Sequence, residues 1–166
     1  MIKKYKMKIF AVGWNYNSHN KEMDNTLVLN EPVIFLKPES AILKDGKPFF
    51  YPDWSSQIEY EAEIVVRIDR LGKNIQSKFA YRYYNSYTIG IDFTARDYQA
   101  KARANGNPWD ISKGFDGSAV VGDFIPTNGE KLGEKEFYLN INGNEVQRGN
   151  SKNMIFSIDD IVAYVS

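Results

Sequence analysis

A chain of 166 residues, 43% apolar and 25% charged, is long enough to bury a hydrophobic core without covalent staples. Its 21 acidic and 21 basic residues balance, so no global field recruits nucleic acid or an anionic membrane, and no apolar run approaches a bilayer span. The absence of cysteine removes disulfides, thiolate nucleophiles and cysteine-type zinc sites, and suits a cytoplasmic protein.

The opening lysines are followed by an apolar run too short and interrupted for a signal peptide, so residues 1–6 read as a short leader before a second start at Met7. "KMKIFAVG" then reads as a first strand ending at Gly13, and "VIFLKP" (33–38) as a short buried strand stopped by proline. Asp45-Gly46, lying between apolar residues, predicts a hairpin. "QIEYEAEIVVRI" (57–68) is the clearest strand, with Ile58, Tyr60, Ala62, Ile64, Val66 and Ile68 on one face. "KFAYRYYNSY" fits a short helix leading into the strand "YTIGIDF" (87–93). "TARDYQAKARA" reads as a helix with Thr94 as N-cap and Asp97 at its third position. A hairpin turning at Asn142-Gly143 and a last helix capped by Ser157 complete the chain. The 11 tyrosines and 10 phenylalanines favour strands. Strands that do not alternate regularly with a few short helices predict a β-rich α+β domain rather than a doubly wound parallel sheet.

Glu59, Glu61 and Glu63 share one face of the long strand. The ordinary reading of such a face is that water solvates it. Yet neighbours on one strand face lie roughly 6.6 Å apart, and carboxylates so placed repel unless water or a cation screens them. Two of them can lean onto one hard divalent ion, and an all-oxygen site favours Mg2+, Ca2+ or Mn2+ over zinc. Asp92 offers a third ligand: an acid between Ile91 and Phe93 is costly unless it is paired or metal-bound, with Arg96 or a helix cap as the simpler partners. The only histidine, His19, sits in the polar stretch "GWNYNSHNKEMDN", with Glu22 three positions on.

In order and spacing, "GWNYNSHNKEM", "EPVIFLKPES", "YEAEIVV", "GIDFTARDYQ", "KGFDGSAVVGDFIP" and "NGNEVQRGNSKNMIFSIDDIVAYVS" resemble the fumarylacetoacetate hydrolase family, from about Met7 to the last residue. The resemblance implies a mixed β-roll or sandwich fold, a homodimer, and one Mg2+ (or Mn2+ or Ca2+) on Glu61, Glu63 and Asp92, with Glu59 an outlying or solvated acid. It implies a catalytic set of His19 and Glu22 on a lid, with Lys113. It places Lys37, Arg96 and Gln99 in further motifs, as substrate-binding positions. Two departures stand out. Trp14 occupies a position where many relatives carry an arginine able to pair a substrate carboxylate. The family's Gly-Asp…Thr-Gly-Thr-Pro segment is not in the sequence, so the expectation is one domain over 7–166 without that wall of the pocket.

The implied activity is hydrolysis of a C–C bond in acylpyruvate-like 2,4-dioxo acids through a metal-stabilised enolate. His19 would act as base, Glu22 would orient it, and Lys113 would stabilise the oxyanion at C4. Decarboxylation of an oxaloacetate-type 2-oxo acid, or isomerisation of a 2-hydroxy-dienedioate, would use the same metal site. A non-catalytic metal-binding or dimerisation module is the alternative of another class. The partner expected is a small 2-oxo acid, with no nucleic acid and no membrane.

Overall fold

The computed structural model describes residues 7–16, 29–43 and 46–166. Strands β1 (Ile9–Gly13) and β2 (Val33–Lys37) pair with each other. β2 stops where Pro38, lacking an N–H, cannot continue a ladder. Strand β3 (Ile58–Glu59) and strand β4 (Ala62–Ile68) come next, followed by a 3-10 turn over Ser77–Arg82 and the long strand β5 (Tyr84–Asp92). β6 (Thr94–Ala95) leads into helix α1 (Arg96–Asn105), then the single turn α2 (Asp110–Lys113). β7 (Ala119–Val121), β8 (Ile125–Pro126), β9 (Glu136–Ile141), β10 (Asn144–Asn150) and helix α3 (Ile158–Val165) complete the chain. This is the sheet-rich α+β architecture expected from the sequence, and among the described residues no helix is long and apolar enough to cross a membrane.

The elements gather into two compact units, Met1–Ala11 with Ile34–Glu63 and Gly90–Gly122, and Val12–Val33 with Ile64–Ile89 and Asp123–Ser166. In the first, β5 ends against β7, with Asp92 opposite Ala119, and β3 pairs with β6 in a separate sheet. In the second, Tyr84, Ala80 and Val162 form a buried cluster under Val66, Ile75, Leu132 and Ile158. α3 begins with the expected cap: Ser157 and Asp160 each accept from the other's backbone N–H. Buried Asn15 imitates a strand, since its side-chain amide donates to Phe156 O at 2.9 Å and accepts from Phe156 N at 2.8 Å.

Two expectations fail locally. The run 57–68 is not one strand: it breaks at Tyr60–Glu61, because β3 follows β6 whereas Glu61 and Asp92 exchange backbone hydrogen bonds of 3.2 and 2.8 Å. Thr94 does not cap α1. It is a strand residue, Ala95 holds the cap position without a side-chain bond, and Asp97 instead accepts from Ser55 Oγ at 2.7 Å and Ser56 N at 3.0 Å. The turn expected at Asp45-Gly46 falls on a stretch where residues 44 and 45 lie outside the described residues. Leu43 N bonds Ala119 O, Pro48 and Pro52 interrupt any ladder, and Phe49 stacks on Phe93 with centroids 4.0 Å apart.

The hairpin at Asn142-Gly143 forms as read, with both residues left-handed (φ 52° and 83°), the pattern of a type I′ turn. Beyond it Gly149 faces Phe137, and a Cβ there would stand 2.3 Å from the ring. The ring lies over the glycine and is only 5% exposed. Gly149→Ala should therefore displace Phe137 and destabilise the protein by about 1–3 kcal/mol, read as a lower midpoint in urea unfolding. An unchanged midpoint would mean the hairpin absorbs the methyl by shifting.

Candidate functional site

Several elements of the first unit deliver charge to one place. Asp92 ends β5, Glu61 sits at the strand break opposite it, and Glu63 lies two residues further along β4. One oxygen from each of the three lies within 4.8 Å of those of the other two. Lys37, the last residue of β2, and Lys113, the last of α2, enter between them. These lysines and Asp92 are only 4, 2 and 4% exposed, so the charges must neutralise one another.

They do so pair by pair. Lys113 Nζ donates to Glu61 Oε2 at 2.6 Å, Asp92 Oδ2 at 2.8 Å and Thr94 Oγ1 at 2.7 Å, and stands 5.2 Å over the Phe35 ring. Its three protons are thereby matched to three acceptors. Lys37 Nζ lies 2.7 Å from Asp92 Oδ1 and donates to Ser118 O at 3.1 Å, Ser118 Oγ at 3.0 Å and the Lys113 carbonyl. Arg96, in the first turn of α1, spreads its guanidinium over Glu59 Oε2 and Glu61 Oε1, both at 2.7 Å, and Gln99 Oε1 at 2.5 Å. Asp92 thus pairs with two lysines rather than with Arg96, and Glu59 is an outlying acid that pairs with Arg96 while staying partly exposed. Gly114 lets the chain turn tightly after α2, since a Cβ there would meet Asp110 O at 2.8 Å.

Burial works to raise Glu61, but Lys113 and then Arg96 outweigh it and hold its carboxyl below the ordinary value. Glu63 feels only a weaker pull from Lys113 and Lys37, neither of which forms an ion pair with it among the described residues. Burial first, then Asp92 and Glu61, push it up to about 8, and among the described residues it accepts no hydrogen bond from a cation. Burial likewise raises Asp92 against the pull of Lys113 and Lys37, and lowers Lys37 against the pull of Asp92. An all-oxygen cluster in which one carboxylate makes no ion pair among the described residues fits a hard divalent cation.

Of the residues singled out in the sequence, Glu61, Glu63, Asp92, Lys113, Lys37, Arg96 and Gln99 come together here. His19 and Glu22 lie outside the described residues. Thr94 and Ser118, fully buried hydroxyls bound to the two lysines, were not foreseen in these roles; the only signal for them is a small polar residue beside Asp92 and another five places after Lys113.

The chain matches the fumarylacetoacetate (FAA) hydrolase C-terminal family over residues 8–166. It is 39% identical over 161 residues to the mitochondrial oxaloacetate decarboxylase of Dictyostelium discoideum, covering 96% of this chain and 73% of that protein. It is 38% identical over 161 residues to the mitochondrial oxaloacetate tautomerase of Rattus norvegicus, covering 95% and 72%. Its fold superposes on fumarylpyruvate hydrolase from Pseudomonas aeruginosa in complex with Mn2+ and pyruvate, with a TM-score of 0.89 and 30% identity over 97% of this chain and 71% of that one. By sequence and by fold, the chain belongs to the fumarylacetoacetate hydrolase family.

Proposed function

We propose that the protein is a divalent-metal-dependent enzyme that breaks the C3–C4 bond of acylpyruvate-like 2,4-dioxo acids. The observation that carries this reading is the cluster of Glu61, Glu63 and Asp92, with ligand atoms within 4.8 Å of one another. When bound on these carboxylates, Mg2+, Mn2+ or Ca2+ would supply Lewis-acid chemistry to the substrate's 1-carboxylate and 2-oxo oxygens.

The chain's own groups do the rest. Arg96 and Lys113 fix the Glu61 carboxylate from its two oxygens, and Lys113 holds one oxygen of Asp92, so both ligands are oriented in advance. His19 takes a proton from the water that adds to the C4 carbonyl, a step an imidazole suits, and Glu22 steadies the resulting imidazolium. The C3–C4 electron pair remains on C3, which takes a proton, giving pyruvate and a carboxylic acid. Lys113 can donate to the oxyanion at C4 only by exchanging one of its three present acceptors. A homodimer in the cytoplasm is part of the same proposal.

A second reading has support of its own in the names of the curated relatives, which include an oxaloacetate decarboxylase and an oxaloacetate tautomerase. Oxaloacetate would lose its C4 carboxylate as CO2, or shift a proton between C3 and the 2-oxo oxygen, with no attacking water. His19 then matters less for bond breaking.

Acetylpyruvate and oxaloacetate should therefore be followed side by side, with Mg2+ or Mn2+ and after chelation. Chelation and Glu61→Ala should each abolish turnover of the true substrate. His19→Ala should lower hydrolysis by about 100-fold or more and leave decarboxylation largely intact. Metal binding without turnover of either acid would favour the non-catalytic module.

Glu63 supports a separate test. Burial and the like charge of Asp92 and Glu61 hold its carboxyl up at about 8, so keeping it in the metal-free protein costs stability once the pH is above the ordinary carboxylate range. Glu63→Gln should raise the melting temperature of the metal-free protein and abolish the rise that Mn2+ gives the wild type. A lower metal-free melting temperature would show that Glu63 is already compensated.

A further inference from the structure

Lys37 resembles a permanently seated cation more than a side chain waiting for substrate. The residue is 4% exposed and its ammonium donates into protein. Three of its acceptors, Ser118 O, Ser118 Oγ and the Lys113 carbonyl, are not carboxylates. They hold the nitrogen in place whatever Asp92 Oδ1, at 2.7 Å, is doing.

We propose that Lys37 is the resident counter-ion of the carboxylate cluster and holds down its affinity for a divalent cation, keeping that cation exchangeable. The inference rests on the metal reading above and extends it. Both oxygens of Asp92 and both of Glu61 already face a cation, so an incoming divalent ion must share each of them. Sharing leaves the ion beside an ammonium that its surroundings will not release. Little water reaches the pair to screen the repulsion. Lys113 differs, because two of its three acceptors are the metal-ligand carboxylates themselves.

The sign of the effect separates this role from two simpler ones. A lysine that merely positioned Asp92 would weaken metal binding when removed. A lysine that contacted substrate would raise KM and leave metal affinity unchanged. A resident counter-ion, once removed, leaves tighter metal binding behind. General damage to the site cannot mimic that result.

The test is Mn2+ binding by titration calorimetry to the full chain, without substrate, for wild type, Lys37→Gln and Lys37→Met. Gln keeps a donor for the carbonyls and loses the charge; Met keeps the length and loses both. The expected result is Kd about tenfold or more lower in each variant, with slower release of Mn2+ to a chelator. The metal-free variants should melt lower than wild type and gain more from Mn2+. A folded Lys37→Gln that binds Mn2+ equally or more weakly overturns the inference, as does failure of both variants to fold even with Mn2+ present. If wild type itself binds no Mn2+, the metal reading falls and this inference with it. A wild type that binds, beside variants that are no tighter, removes only the role of Lys37.

Discussion

Asp92 is a carboxylate at the end of an apolar strand, and almost none of it reaches water. Such a group is tolerable only if opposite charge is brought to it, and much of the first unit is arranged to do that. β2 ends where its last side chain, Lys37, meets one oxygen, and α2 ends where Lys113 meets the other. Removing one partner from a buried pair of this kind costs roughly 3–5 kcal/mol, mostly through the charge left behind. The short helix, the tight turn at Gly114 and the end of β2 can each be understood as means of delivering an ammonium.

The same arrangement divides labour between two kinds of cation. Arg96 uses its planar fork to join Glu59 and Glu61 at the more open edge of the cluster, where two carboxylates must be held at once. The lysines, compact and long-stemmed, reach the deeper oxygens and take hydroxyl and carbonyl acceptors with their remaining protons. Glu63 alone makes no ion pair among the described residues, and burial, then the like charge of Asp92 and Glu61, raises its carboxyl against the weaker pull of Lys113 and Lys37.

Much of this was legible in the residues. The alternation in "YEAEI" and the misplaced acid in "GIDF" identify the carboxylates, because period-two geometry and the cost of burying charge are local facts. The Asn142-Gly143 turn and the Ser157 cap were legible for the same reason. What escaped was decided at a distance. Thr94 has the sequence of an N-cap, but its hydroxyl is claimed by Lys113 from nineteen residues away. Glu59 looked solvated because nothing nearby reveals that Arg96 will stand beside it. Whether His19 and Glu22 join the cluster lies outside the described residues.

The exchange of backbone hydrogen bonds between Glu61 and Asp92 carries one further consequence. Side chains alternate along a strand, so sliding this pairing by a single residue would bring Ala62 opposite Asp92 and turn Glu61 away. Lys113 and Arg96 would each lose a partner, and a buried aspartate would face a methyl group. Apolar alternation specifies register only where one face is dry, and β4 is partly exposed along most of its length. Here the ions do that work: they act as a key that admits one alignment of the strands, so the chain cannot complete this part of its fold without also assembling the cluster.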